Sequence, residues 1–173
     1  MIQTARLRLR SAIEGDLTAM HAIMSDPETM RYWSTPPHSN LETTRLWLAS
    51  MIEAQLVGDF IIELDGRCIG KVGCWRPPEV GYILSRDCWG KGYAAEALTA
   101  FIHYAFAEFT DHLTADVDPR NAASLKLLAR VGFRETHRVP RTWLVGDEWC
   151  DSVYLRLDRP IPGSGSGHTE SRP

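Results

Sequence analysis

The stretch from Gly81 to Ala105 constrains this chain more than any other. A short apolar run, Val80 to Leu84, passes through a glycine-bearing turn into a pattern in which Ala94, Leu98, Phe101 and Ala105 recur at helical spacing. A strand that hands over to a helix in this way builds an anion site. The helix start leaves about four backbone N–H groups unpaired and carries the positive end of the helix dipole. Gly90 and Gly92 lack Cβ, so an anion can approach the main chain closely and positive φ is permitted, and Lys91 adds a point charge.

Several designs share this feature. Gly90-Lys91-Gly92-Tyr93-Ala94-Ala95 satisfies the dinucleotide fingerprint G-x-G-x-x-G/A, and Asp116 stands about 20 residues on, where a ribose-binding acid belongs. That fingerprint wants its first glycine directly after the strand, whereas Ser85 to Trp89 intervene, and it wants more βα units than this chain supplies. A plain glycine-rich turn is the bland reading.

The 173 residues fit one domain, 44% apolar and 24% charged as in a globular protein. A net charge of -3 supplies no basic footprint for nucleic acid. Cys68, Cys74, Cys88 and Cys150 are scattered without Cys-x-x-Cys or zinc spacing, so reduced thiols are expected and no metal. Cys88 lies beside the glycine turn without a sequence-near His to activate it. No apolar run reaches membrane-spanning length and the first residues have no signal-peptide core, which gives the expectation of a cytoplasmic protein without membrane partners.

Along the chain, Arg6 to Arg10 alternates as a half-buried strand whose charged side is a solvated face. Leu17, Met20, Ile23 and Met24 form a helical face. Ser39 with Glu42 reads as a capping box for a second helix carrying Thr44, Leu48, Met51 and Ile52. Phe60 to Leu64, Asp65-Gly66 and Cys68 to Cys74 form a hairpin, and Pro77-Pro78 turns the chain into Val80 to Ser85. Leu113 to Val117 is a fifth strand, parallel to the fourth. Asn121 caps a helix with Leu125, Leu128 and Val131 inward, stopped by Gly132-Phe133. Arg134 to Val139 and Glu148 to Leu157 close the sheet, and residues 160–173 read as a disordered Pro/Gly/Ser-rich tail after a domain of residues 1–159.

Trp89-Gly90-Lys91-Gly92-Tyr93-Ala94 resembles the R/Q-x-x-G-x-G/A pyrophosphate loop of the GNAT superfamily of N-acetyltransferases, in particular its RimJ/RimL-like branch, with Trp89 where Arg or Gln is usual. Thr4 to Arg10 is similar to that branch's T-x-R-L-x-L-R opening, and Asn121 to Phe133 to its N-x-x-S followed by Gly-Phe. Trp149 and Asp151 resemble its W-x-D. The resemblance implies an α/β (α+β) fold: a mixed, mostly antiparallel sheet of about seven strands, splayed between the fourth and fifth, with about four helices.

It also implies transfer of an acetyl group from acetyl-CoA to a primary amine, of a peptide N-terminus or a small molecule, by direct attack on the thioester. A non-catalytic acyl-CoA-binding domain is the rival reading. The implied cofactor residues are Ile83, Leu84 and Ser85 on the splayed strand, Trp89, Gly90, Lys91, Gly92, Tyr93 and Ala94 in the loop, and Asn121 and Ser124 on the last helix. The Leu84 N–H is expected to polarise the thioester oxygen, and Ser124 to donate to the departing thiolate, since residues 125–131 offer no Tyr. Glu79 matches an acidic position suited to taking the amine proton, with an exposed strand-start carboxylate as its plain alternative. Tyr32 and Trp33 fall on the acceptor side, where core aromatics would serve equally. About one α-amine in ten is neutral at pH 7, against far fewer lysines, so an unperturbed carboxylate base suits an α-amine or another low-pKa amine. Monomer and homodimer both fit.

Overall fold

The computed structural model describes residues 1–53 and 58–160; the expected tail beyond residue 160 lies outside the described residues. The strands are β1 (Ile2–Gln3), β2 (Arg8–Arg10), β3 (Asp59–Leu64), β4 (Arg67–Arg76), β5 (Glu79–Leu84), β6 (His112–Val117), β7 (Arg134–Val145) and β8 (Glu148–Asp158). The helices are α1 (Leu17–Met24), α2 (Leu41–Glu53), α3 (Tyr93–Glu108) and α4 (Ala122–Arg130). One sheet holds the strands in the order β1-β2-β3-β4-β5-β6-β8-β7, antiparallel throughout except between β5 and β6.

The mixed sheet and the four helices agree with expectation, and the eighth strand does not. It arises because Ile2–Gln3 pairs with Leu9 and Arg8, while Arg6 and Leu7, expected in the first strand, form the turn between. The start of α2 differs too. Asn40 Oδ1 accepts the Thr43 N–H at 2.9 Å, so Asn40 occupies the cap expected of Ser39. The last hairpin is longer than expected, with β7 running on to Val145.

Alternation along the strands sorts side chains onto the two faces. On one face Leu7, Phe60, Val72, Val80, Leu84, Leu113, Ala115 and Val117 meet Leu98 and Phe101 of α3 and Leu128 of α4. On the other, Ile61, Cys68 and Ile83 meet Met20, Ile23 and Met24 of α1 and Met51 of α2. Phe101, Leu98 and Met24 are fully buried, and each such side chain contributes about 1.5–3 kcal/mol relative to exposure. The core thus clamps β5 between two helical layers and fixes the direction in which it delivers the glycine turn. Among the described residues no helix is long and apolar enough to cross a membrane.

The sheet is incomplete at its centre. β5 and β6 share the single register pair Glu79–Thr114, with the Thr114 N–H donating to the Pro78 carbonyl at 3.0 Å, and diverge beyond it.

Candidate active site

Hydrogen-bond direction alternates along an antiparallel strand. The Ser85 N–H donates to the Ile69 carbonyl at 2.8 Å, and the β4–β5 register pairs Leu84 with Gly70 and Ile83 with Lys71. It follows that Ser85 and Ile83 spend their main-chain groups on β4, whereas Leu84 and Tyr82 turn theirs toward β6, where no ladder pair follows Glu79–Thr114. The expectation that Ile83 to Ser85 all offer main-chain partners is therefore corrected: Leu84 does, Tyr82 joins it, and Ile83 and Ser85 do not. The Ser85 hydroxyl is also engaged, donating to Asp87, which Arg67 grips at 2.6 Å. The Arg67 guanidinium and then the Ser85 hydroxyl hold the Asp87 carboxyl down at about 2.

The glycine turn is held open from both sides. Gly90 (φ 70) and Gly92 (φ 82) are left-handed, and Gly92 is the N-cap of α3. A Cβ on Gly90 would meet nothing within 4 Å, which leaves its main chain accessible to a ligand. Trp89, expected to contact the cofactor, donates its indole N–H to the Leu84 carbonyl at 2.9 Å. This bond ties the turn to the end of β5 and commits the indole nitrogen elsewhere.

On the other side stands Arg6, read from sequence as part of a solvated face. Its Nε donates to Glu96 Oε2 at 2.7 Å, its Nη1 to the Lys91 carbonyl at 3.0 Å, and its guanidinium stacks over the Tyr93 ring at 4.5 Å. The Thr4 hydroxyl adds a 2.6 Å bond to Glu96 Oε1, and the Arg6 main-chain N–H a 2.8 Å bond to the same oxygen. Burial alone would raise the Glu96 carboxyl, but these donors outweigh it and hold it below its ordinary value. The first turn of α3 is thus strapped to the N-terminal segment. Beside the strap lies a groove of about 880 Å³ lined by Thr4, Arg6, Gly92, Glu96, Arg130 and Gly132.

Where β5 and β6 part, a smaller cleft of about 90 Å³ brings together Tyr32 and Trp33 from the segment after α1, Gly81 and Tyr82 from β5, Asp116 from β6, and Asn121 and Ser124 from α4. A side chain on Gly81 would stand 3.8 Å from Trp33, so the absence of Cβ keeps the space beneath that indole open. Asn121 Oδ1 accepts the Ser124 N–H at 3.1 Å and caps α4, which commits its oxygen and fixes the Ser124 turn. Tyr32, Trp33, Asn121 and Ser124 thus line one cleft, and Gly90, Lys91, Gly92, Tyr93 and Ala94 form the neighbouring turn and helix start.

Glu79 does not line the cleft. It stands at the start of β5, exposed as a residue but with protein crowding one side of its carboxyl, and this partial desolvation and then the negative charge of Asp116 raise the carboxyl above its ordinary value, offset in part by Arg76. Asp116 does line it and is held by the Trp143 indole N–H at 2.8 Å. Trp143 belongs to the long hairpin, whose Glu148 is also tied to Arg120, itself paired to Asp118 at 2.6 Å. Sequence reasoning missed Arg6, Tyr82, Asp116 as a cleft residue, and Trp143. Arg6 carried a signal in its place in the Thr4 to Arg10 motif, and Asp116 one that pointed to a different ligand, the ribose of a dinucleotide.

A sheet parted beside a left-handed glycine turn that opens a helix defines a ligand-binding α/β architecture, with one slot for an extended arm and one turn suited to an anion. The acetyltransferase (GNAT) domain family matches residues 6–134, and this chain belongs to it. It is 30% identical over 146 residues to the uncharacterised N-acetyltransferase p20 of Bacillus licheniformis, covering 78% of this chain and 82% of that one. Among solved structures it superposes on a GNAT-family acetyltransferase from Bacillus anthracis with a TM-score of 0.81 and 25% identity, covering 91% of this chain and 97% of the other. It also superposes on the spermidine N-acetyltransferase of Vibrio cholerae in complex with CoA and spermine, with a TM-score of 0.76 and 19% identity over 90% and 97% of the two chains.

Proposed function

We propose that this protein transfers an acetyl group from acetyl-CoA to a primary amine, of a peptide N-terminus or a small molecule. The observation that carries this reading is the parting of β5 from β6 directly beside the Gly90–Gly92 turn, with the outward main chain of Tyr82 and Leu84 along one wall. The fit to the cofactor is good. The N–H groups at the start of α3 and Lys91 would hold the pyrophosphate, and the Tyr82 main chain and the Leu84 N–H would run beside the pantetheine arm, the Leu84 carbonyl being taken by Trp89. When bound, acetyl-CoA supplies an activated acyl group and a thiol leaving group.

The chain's own residues do the rest. The Leu84 N–H points into the gap and polarises the thioester oxygen; loss of such a donor typically costs about a hundredfold in rate. Trp33 and Tyr32 pack the acceptor beneath them. Glu79, with its raised carboxyl, takes the amine proton through water, because it stands outside the cleft. Ser124, which lines the same cleft, assists departure of the thiolate.

Thiol release on mixing the protein with acetyl-CoA and a panel of amines, free-N-terminus peptides included, tests the reading. Tight acetyl-CoA binding without turnover on any amine would make the protein a binding module. Absence of binding would remove the reading altogether.

A further inference from the structure

The Tyr82 hydroxyl is a buried polar oxygen without a hydrogen-bond partner in the fold. Its polar neighbour is Ser124, which faces the same cleft and lies near enough to offset part of the effect of burial on the phenol, but the angles and distance do not make a full hydrogen bond. A buried hydroxyl left unsatisfied costs stability, and a phenylalanine at this position would avoid that cost. Such a group calls for a partner from outside the fold. On the strand Tyr82 lies between Gly81, beneath Trp33, and Leu84, whose N–H enters the gap, and across the cleft it meets α4 at Ser124.

We propose that Tyr82 is the catalytic residue that delivers a proton to the departing thiolate, with Ser124 supporting it. The proposal rests on the acetyltransferase reading above and deepens it. As the bond from the amine nitrogen to the acyl carbon forms, the carbon–sulfur bond breaks and its electron pair goes to sulfur. Tyr82 gives sulfur the phenolic proton. To become an amide the nitrogen sheds one proton, which passes through water to Glu79 and on to solvent, while solvent reprotonates the Tyr82 oxygen through the Ser124 hydroxyl, so amine and thioester become amide and thiol with no net proton change. Burial raises the Tyr82 hydroxyl above its ordinary value, which keeps the group protonated and able to donate across the physiological range. Position explains why the donor sits on a strand: α4 presents no Tyr after Ser124, and β5 reaches the same space from the opposite wall.

The test is Tyr82→Phe, measured three ways against wild type and Ser124→Ala. The kcat for the best amine falls about 100-fold, in the ordinary range for loss of a positioned acid, with the KM for acetyl-CoA nearly unchanged. Ser124→Ala loses less, since Tyr82 remains. Without any cofactor, the thermal midpoint of Tyr82→Phe equals or exceeds that of wild type, because an unpaired hydroxyl has been removed. Wild-type kcat in Tyr82→Phe would overturn the proposal while leaving the acetyltransferase reading intact. A lowered midpoint in the cofactor-free variant would also overturn it, by revealing a hydroxyl already satisfied within the fold. Inactive wild type on every amine would instead remove the underlying reading.

Discussion

Replacing Gly92 by valine tests the phosphate-binding turn most directly. Gly92 sits at φ 82 and ψ 2 as the N-cap of α3. An L-residue there costs about 1–2 kcal/mol, more when β-branched. The new Cβ would also stand 3.4 Å from Arg6 Nη2, the mobile end of a side chain, so this contact yields without much cost. What does not yield is the backbone: to escape the left-handed region the turn must rotate the first N–H groups of α3 away from their common focus. Each lost bond to a phosphate oxygen is charge-assisted and worth about 1.5–3 kcal/mol, so the Kd for CoA should rise about 10- to 150-fold. Titration calorimetry with CoA reads this, alongside urea unfolding.

Gly66→Val provides the control. Gly66 lies at φ 79 in the β3–β4 turn with nothing within 4 Å of its Cβ, so it carries the same backbone strain while lining neither the groove nor the cleft. It should lose similar stability and bind CoA normally. If Gly92→Val binds CoA as tightly as wild type, or Gly66→Val weakens binding equally, the assignment of the turn fails.

The strap predicts that Arg6→Ala weakens CoA binding about tenfold with a smaller effect on unfolding, and that Arg6→Lys recovers only part, since an ammonium cannot reach Glu96 and the Lys91 carbonyl as a fork; unaltered affinity in Arg6→Ala would dismiss the strap. Glu79 carries two coupled expectations. Its raised carboxyl favours the neutral form in the fold, so its contribution to stability is present at low pH and is lost as pH rises through the folded value; Glu79→Gln should therefore equal or exceed wild-type stability at pH 7. If Glu79 is the base, the acidic limb of the kcat profile, where rate falls as the carboxylate protonates, should also disappear in this variant, and an unchanged profile would assign the proton to another acceptor. Away from the site, Lys71 pairs with Asp59 at 2.8 Å with both side chains almost wholly buried. Lys71→Met should cost about 3–5 kcal/mol in denaturant unfolding by stranding the Asp59 charge, and adding Asp59→Leu should restore much of it; a loss below about 1 kcal/mol in the single variant would contradict this.

The sequence by itself determined the parts whose cause is local. Alternation in β5, the glycine pair before α3 and the Asn121 cap are each decided by neighbours a few residues away, and so were legible along the chain. The same holds for the Asp65-Gly66 turn, where both residues have positive φ. Local signals were also where small errors arose: Asn40 stands beside Ser39 and caps α2 equally well by type, and a two-residue β1 is too short to show a period.

Only the tertiary structure decided which groups meet. Arg6 reaches Glu96 and Lys91 because the N-terminal turn packs against the start of α3, a contact between residues 90 apart that no spacing rule encodes. Tyr82 is one residue of the apolar run Val80 to Leu84 until α4 brings Ser124 across from it and the sheet parts beside it. Ile83 and Ser85 lose their expected roles for a matching reason: which main-chain groups face the gap depends on register with β4, a property of two strands together. Side-chain type and period travel with the chain; orientation toward a shared space is fixed only when separate elements pack.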